Sequence, residues 1–226
     1  MDKNVKFFIY FFVFPFLAWL LFTPWSATLD IAITRIFYEN GQFSSSPYWD
    51  IIYDYGVIPG WILFFVSLYG FISSYFSSKY QTWRKPSLFI LLTFAIGPGL
   101  IIHGILKEHW GRPRPKQVIE FGGSQSFRPY YYPHFNQPEP SKSFASGHSS
   151  MGFAFFSAAL LGLRSKNKKI FWGGIAIAWI LGILLSLARI AVGGHFLSDT
   201  LASALIMWWL ASGLYYFLFH PLRRKS

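Results

Sequence analysis

The sequence has no cysteine among its 226 residues. A disulfide and a thiolate metal site are both excluded, and the lack is compatible with a site facing an oxidising compartment. Acidic residues are scarce as well, 9 Asp and Glu against 20 Lys and Arg. They form no carboxylate or histidine set with metal-ligand spacing, so no cofactor and no metal are expected. No internal repeat and no low-complexity segment divides the chain, so one domain over 1–226 is expected. Charged residues of either sign make up only 13%, and what fills the remainder is apolar: 53% of the chain, with 22% aromatic and 26 Phe. This exceeds ordinary soluble usage and collects in long uncharged runs, which points to a membrane protein. The formal net charge of +11 raises the alternative of a soluble nucleic-acid binder. The apolar runs argue against it, and no nucleic-acid partner is expected.

Six runs are long enough to cross a bilayer, at about 7–23, 57–76, 87–106, 146–163, 170–187 and 198–219. The first follows Lys3 and Lys6 as a signal peptide would, but its length, its poor cleavage pattern and the later spans favour a retained helix. The segment Ala27–Tyr38 carries apolar residues at helical spacing and reads as an interfacial helix. Six spans put the N-terminus, loop 77–86, loop 164–169 and the tail on one side, with 2, 3, 4 and 3 Lys or Arg respectively. The excess of positive charge makes that side cytoplasmic. No obligate protein partner is evident. The expected fold is an all-α membrane protein of six transmembrane helices.

The opposite side holds 24–55, 107–144 and 188–197, and its positive charges break the topological trend. They gather in three groups. Lys107-Glu-His-Trp-Gly-Arg-Pro-Arg-Pro115 ends the third span, Ser143-Phe-Ala-Ser-Gly-His-Ser-Ser150 opens the fourth, and Ala188-Arg-Ile-Ala-Val-Gly-Gly-His-Phe-Leu-Ser-Asp199 lies between the fifth and sixth. In the third group His195 and Asp199 are four residues apart and share a face if a helix begins near His195. A carboxylate there fixes the imidazole tautomer and aims the other nitrogen outward. Ionisable residues so close to a bilayer are costly and point to function.

The chemistry these groups suit is phosphoryl transfer. Lys107, Arg114 and Arg189 would neutralise the phosphoryl oxygens, and Ser146-Gly147, at a helix start, would offer a hydroxyl and backbone N–H groups. His195 would attack phosphorus, with Asp199 holding its tautomer. His148 would protonate the leaving oxygen and then activate water. Other polar residues have plainer readings: Ser146 as an N-cap, Arg112 as a headgroup contact, Lys116 and Arg128 as headgroup or solvent contacts, and His103 as a packed polar residue. The Trp and Tyr residues near span ends read as interfacial belts.

Lys107-x6-Arg114-Pro115, Ser146-Gly147-His148 and Arg189-x5-His195-x3-Asp199 together resemble the three-part signature of the type 2 phosphatidic acid phosphatase (PAP2) superfamily. Ala145 stands where that family usually has Pro, and Ala188 where Ser usually precedes the Arg. The resemblance implies a PAP2/haloperoxidase-like helical bundle with a periplasm-facing site in the bacterial inner membrane, and a phosphohistidine route. Gly97-Pro-Gly-Leu100, His109-Trp-Gly111, Phe121-Gly-Gly123 and Gly193-Gly-His-Phe-Leu-Ser-Asp199 further resemble the bacterial lipid A phosphatase branch, the 4'-phosphatases in particular. The expected activity is hydrolysis of a phosphate monoester on lipid A or a precursor, with undecaprenyl diphosphate or phosphatidylglycerophosphate as alternative substrates. A phosphotransferase passing the group to a second lipid, and a non-catalytic anionic-lipid binder or transporter, are the further alternatives.

Overall fold

The structure, a computed structural model, describes residues 2–135 and 141–219. The basic tail from His220 onward, counted above towards the cytoplasmic side, and part of the long connection 107–144 lie outside the described residues. Helices dominate. Five of them are long and apolar enough to cross a membrane among the described residues: Asn4–Arg35, Pro47–Phe76, Ser78–His109, Lys168–Ala191 and Leu197–Phe219.

The first run is longer than the sequence suggests. Helix α1 (Lys3–Phe8) passes through a π segment (Ile9–Val13) directly into α2 (Phe14–Arg35). The expected interfacial helix at Ala27–Tyr38 is instead the end of α2. The expectation failed at Pro24, which lies inside α2 without ending it; such prolines are tolerated where neighbouring helices re-satisfy the freed backbone groups. The π segment serves the packing, because the carbonyl of Phe11 accepts a hydrogen bond from the Trp208 indole at 2.9 Å. On the far half of α2, Ser26, Asp30 and Thr34 recur every four residues and are buried, so this polar stripe faces the bundle.

After a two-stranded hairpin, β1 (Tyr38–Glu39) and β2 (Gln42–Phe43), come α3 (Pro47–Tyr55) and α4 (Ile58–Phe76). A 3-10 turn (Ser78–Trp83) leads into α5 (Arg84–Phe94), which continues as a π segment (Ala95–Leu106) around Gly97 and Pro98 to α6 (Lys107–His109). The fourth expected span, 146–163, is two short helices, α7 (Gly147–Phe153) and α8 (Phe156–Arg164). Neither is among the five long apolar helices. Helix α7 is walled by protein: Gly147 and every residue from Ser149 to Phe153 are buried.

Helices α9 (Lys168–Ala191) and α10 (Leu197–Phe219) complete the chain. Small residues let α7 and α8 lie close against α9. A Cβ at Gly152 would stand 2.5 Å from the Gly182 nitrogen, and one at Gly174 would stand 2.7 Å from the Ala159 Cα. Apolar packing alone does not drive helices together in lipid, so such close backbone approach carries the association. The core between the helices is Phe89, Phe94, Phe153, Phe156, Leu160, Met207 and Tyr215. Large apolar side chains such as Leu21, Trp25, Phe65, Phe76 and Phe217 are more than half exposed, as a lipid-facing surface requires.

The long connection 107–144 packs into two small clusters of its own. Tyr130, Phe144, Ala145 and Ala202 meet Trp19 and Trp110, while Val118, Phe121 and Phe196 meet Tyr38 and Phe43. A turn at Gly122, with φ +78°, folds the connection back so that the Gln125 N–H donates to the Gln117 carbonyl at 2.8 Å.

Candidate active site

The three polar groups that are far apart in sequence are joined by main-chain hydrogen bonds. The Ser143 N–H donates to the Arg112 carbonyl at 3.0 Å, the Lys116 N–H to the Gly193 carbonyl at 3.2 Å, and the Ser146 N–H to the Asp199 carbonyl at 3.2 Å. Each group is thus tied to another through backbone, which fixes their relative positions better than exposed side chains would.

Helix α9 ends just after Arg189. Gly193 takes φ +66°, a conformation that suits glycine, and the Gly194 N–H returns to the Arg189 carbonyl at 2.8 Å. A Cβ on Gly194 would come within 2.7 Å of the Arg189 Cζ, so the second glycine leaves room for the guanidinium. The chain then presents His195 just ahead of α10. Asp199, in the first turn, accepts a hydrogen bond from the Phe196 N–H on Oδ2 at 2.8 Å, half of a capping box. The same Oδ2 accepts from the Ser143 hydroxyl at 2.6 Å and lies 3.6 Å from the His195 Nδ1. That last distance exceeds a hydrogen bond, and the His195 Nδ1 is buried without a hydrogen-bond partner; such contacts commonly tighten when substrate is present. His195 is 1% exposed. Burial pulls its pKa down to about 4 despite the opposing pull of Asp199, so the imidazole is neutral at neutral pH and its free nitrogen keeps its lone pair.

Arg112 corrects an expectation. It is 1% exposed and is not a headgroup contact. Its Nη2 donates to Asp30 Oδ2 at 2.7 Å, its Nη1 to the Ser198 hydroxyl at 2.8 Å and to Asp199 Oδ1, and its Nε to the Arg128 carbonyl at 2.9 Å. Burial works against its charge, but the carboxylates of Asp199 and Asp30 outweigh it and hold its pKa above the ordinary arginine value. Asp30 is held in turn by the Ser198 N–H and hydroxyl, each at 2.7 Å.

Ser146 is the N-cap of α7, as one reading expected. It is fully buried, and its hydroxyl lies 2.8 Å from that of Ser149. Gly147 packs against the ring of His103, which leaves no room for a Cβ. The His148 ring stacks on Tyr53 of α3, with centroids 4.4 Å apart and planes at 15°. The Arg189 guanidinium carbon lies 4.7 Å from the centroid of the same tyrosine ring. One aromatic ring therefore touches both an expected acid and an expected anion clamp. His103, Gly147 and His148 also line a cavity of about 430 Å³ whose other walls include Trp61, Phe64 and Phe94.

Positive charge concentrates here. Lys107 feels the charges of Arg114 and Arg189, Arg189 feels Arg114, and both His148 and His195 feel Arg189 and Lys107. The Arg189 Nε is buried without a hydrogen-bond partner. Mutually repelling cations, one of them with an unfilled donor, are what an anion would relieve. Among the described residues no group of three or more His, Cys, Asp or Glu could hold a metal ion.

Residues 87–223 match the family model of the PAP2 superfamily. The chain belongs to the PAP2 superfamily. It is 32% identical over 212 residues to the lipid A 4'-phosphatase of Francisella tularensis subsp. novicida, covering 89% of this chain and 92% of that one. It is 32% identical over 127 residues to the lipid A 4'-phosphatase of Rhizobium leguminosarum, covering 53% of this chain and 47% of that one. It is also 30% identical over 142 residues to phosphatidylglycerophosphatase B of Bacillus subtilis, covering 59% of each. No solved structure gives a significant match. Within this PAP2 chain the matched segment contains every residue of the three polar groups, whereas Asp30 and Tyr53 lie before it. Sequence reasoning missed both. Asp30 carried a usable signal, because an Asp in register with Ser26 and Thr34 on an apolar helix marks a buried polar stripe. Tyr53, one aromatic residue among many, carried none.

Proposed function

We propose that this protein is a lipid phosphatase of the inner membrane that hydrolyses a phosphate monoester of lipid A or a precursor at a periplasm-facing site, acting as one membrane domain. The observation that carries the reading is the joining of the three polar groups by backbone hydrogen bonds, with a buried neutral imidazole beside a carboxylate at their centre. Lys107, Arg114 and Arg189 hold the phosphoryl oxygens, and Ser146 and Gly147 complete the cradle through the start of α7.

The free nitrogen of His195 attacks phosphorus, and the bond from phosphorus to the lipid oxygen breaks as His148 gives that oxygen its proton; burial and the Arg189 charge hold the His148 pKa down at about 4, so it carries that proton only once the negative phosphate beside it offsets them. Asp199 faces the opposite ring nitrogen and stabilises the positive charge that develops on the ring. In the second half, His148 takes a proton from water. The water oxygen bonds to phosphorus, the phosphorus–nitrogen bond breaks, and inorganic phosphate leaves. The cations do the work of charge neutralisation, so no metal is required. The excess of Lys and Arg in loops 77–86 and 164–169 supports the periplasmic orientation.

The substrate reading rests on the extent of the match to the Francisella lipid A 4'-phosphatase. The match to phosphatidylglycerophosphatase B favours phosphatidylglycerophosphate as the second reading. Phosphate release by purified protein in detergent from lipid A, phosphatidylglycerophosphate and undecaprenyl diphosphate tests both. Fastest release from lipid A, lost in His195→Gln, is expected. Equal release by His195→Gln ends the mechanism, and fastest release from another lipid ends the substrate assignment.

A further inference from the structure

We infer that Asp30, on the first membrane helix and outside the family-matched segment, is a positioning residue that acts on the nucleophile through Arg112 and Asp199. This deepens the phosphohistidine reading and rests on it.

The four side chains form a contiguous buried array, hydrogen-bonded from Asp30 through Arg112 to Asp199, with the His195 Nδ1 3.6 Å from Asp199 Oδ2. Asp30, Arg112, Asp199 and His195 are each no more than 1% exposed. Asp30 receives three donors: the Ser198 N–H on Oδ1, and the Ser198 hydroxyl and the Arg112 Nη2 on Oδ2, each at 2.7 Å. The Ser198 hydroxyl itself accepts from Arg112 at 2.8 Å, so its proton is committed to Asp30. The three groups that face the Asp30 carboxyl are all donors, which suits an acceptor-only carboxylate. Asp199 divides its oxygens: Oδ1 takes Arg112, while Oδ2 takes Ser143 and Phe196 and faces His195.

Charge explains why Asp30 matters. Arg112 and Asp199 alone would be a neutral pair, and the undivided arginine would draw the Asp199 carboxylate towards itself. Asp30 shares Arg112 and brings the array of two carboxylates and one guanidinium to a net charge of −1. When the imidazole bonds to phosphorus it keeps the proton on Nδ1 and becomes cationic. Among side chains buried this deeply the net negative array answers that charge, and the answer grows along the reaction coordinate. Lys107, Arg114 and Arg189, which grip the phosphoryl oxygens, are not part of the array. Removing the charge of Asp30 therefore weakens bonding at His195 and leaves ground-state phosphate binding in place.

Asp30→Asn tests this, read by steady-state kinetics and by two inhibitors. Vanadate forms a bond to the nucleophile and mimics five-coordinate phosphorus; inorganic phosphate needs only the cations. The expected result is a fall in kcat of about 10–100-fold, by analogy with the loss of residues that orient metal-bound histidines. KM and phosphate inhibition should stay within about 3-fold, with vanadate inhibition weakened in parallel with kcat. Ser198→Ala removes one hydrogen bond to Asp30 and keeps both charges. It serves if Asp30→Asn does not fold, and it should show the same pattern at about 3–10-fold. Equal weakening of vanadate and phosphate, or an unchanged kcat in a folded variant, overturns the inference. His195→Gln is run beside them: if it retains turnover, the phosphohistidine reading has failed, whereas its inactivity beside a normal Asp30→Asn rejects only the role of Asp30.

Discussion

Lowering the pH should destabilise this protein through His195, and by an amount the structure sets. Burial holds its pKa at about 4, against 6.5 for an unperturbed histidine. The folded state therefore binds fewer protons than the unfolded state at any pH between those values, and stability falls as the pH drops through 6.5 and stops falling below about 4. By pH 5 the loss is about 2 kcal/mol, and its limit is about 3 kcal/mol, at roughly 1.4 kcal/mol for each pH unit between the two pKa values. For a chain of this size 2 kcal/mol corresponds to a shift in melting temperature of about 4–8 °C. The assay compares melting of the detergent-solubilised protein and of His195→Asn between pH 7 and pH 5. Other groups titrate in both proteins, so the quantity of interest is the gap between the two curves. The substitution costs stability at pH 7, but the gap should narrow by about 2 kcal/mol at pH 5, because asparagine has no proton to be denied. Parallel curves would refute the claim that His195 is buried in its neutral form.

Three further outcomes are expected. Gly152→Leu forces a side chain into the backbone of α9 at Gly182, and it should cost about 3 kcal/mol or more and lower the yield of folded protein from membranes. Tyr53→Leu removes the ring shared by His148 and Arg189, and kcat/KM on the preferred lipid should fall about 5–10-fold, in line with about 1 kcal/mol of aromatic and cation–π contact. Activity should survive a chelator, since the phosphoryl charge is met by Lys107, Arg114 and Arg189; loss in chelator with rescue by a divalent ion would contradict that assignment.

The polar half of the site was legible because its chemistry is out of place. Arg189, His195 and Asp199 interrupt apolar runs where ionisable groups are costly, and their spacing with Lys107, Arg114 and Ser146-Gly147-His148 leaves few readings. The second, third, fifth and sixth spans were legible from hydropathy; the sixth starts one residue earlier than expected, and the other three begin or end several residues away. The first span was cut short at Pro24, since sequence alone does not say which prolines a membrane helix will absorb. The fourth run is helical as well but broken after Phe153 into α7 and α8, and its first half is buried against α9 through Gly152 and Gly182. Arg112 was ambiguous for a different reason: two Arg-Pro pairs stand side by side, and only the fold shows that Arg112 turns inward to Asp30 and Asp199 while Arg114 joins the cations. Tyr53 reaches the site through the packing of α3 against α9, a contact that no local pattern announces.

The central claim is that His195 carries the phosphoryl group between lipid and water. Rapid alkaline quench of the purified protein with phosphate-labelled lipid A tests it, because a phosphohistidine survives base and is lost in acid. Base-stable, acid-labile label on wild-type protein, mapped to the peptide containing His195 and absent from His195→Gln, is the predicted result. Equal labelling of the His195→Gln protein, or label placed on another residue, would contradict it.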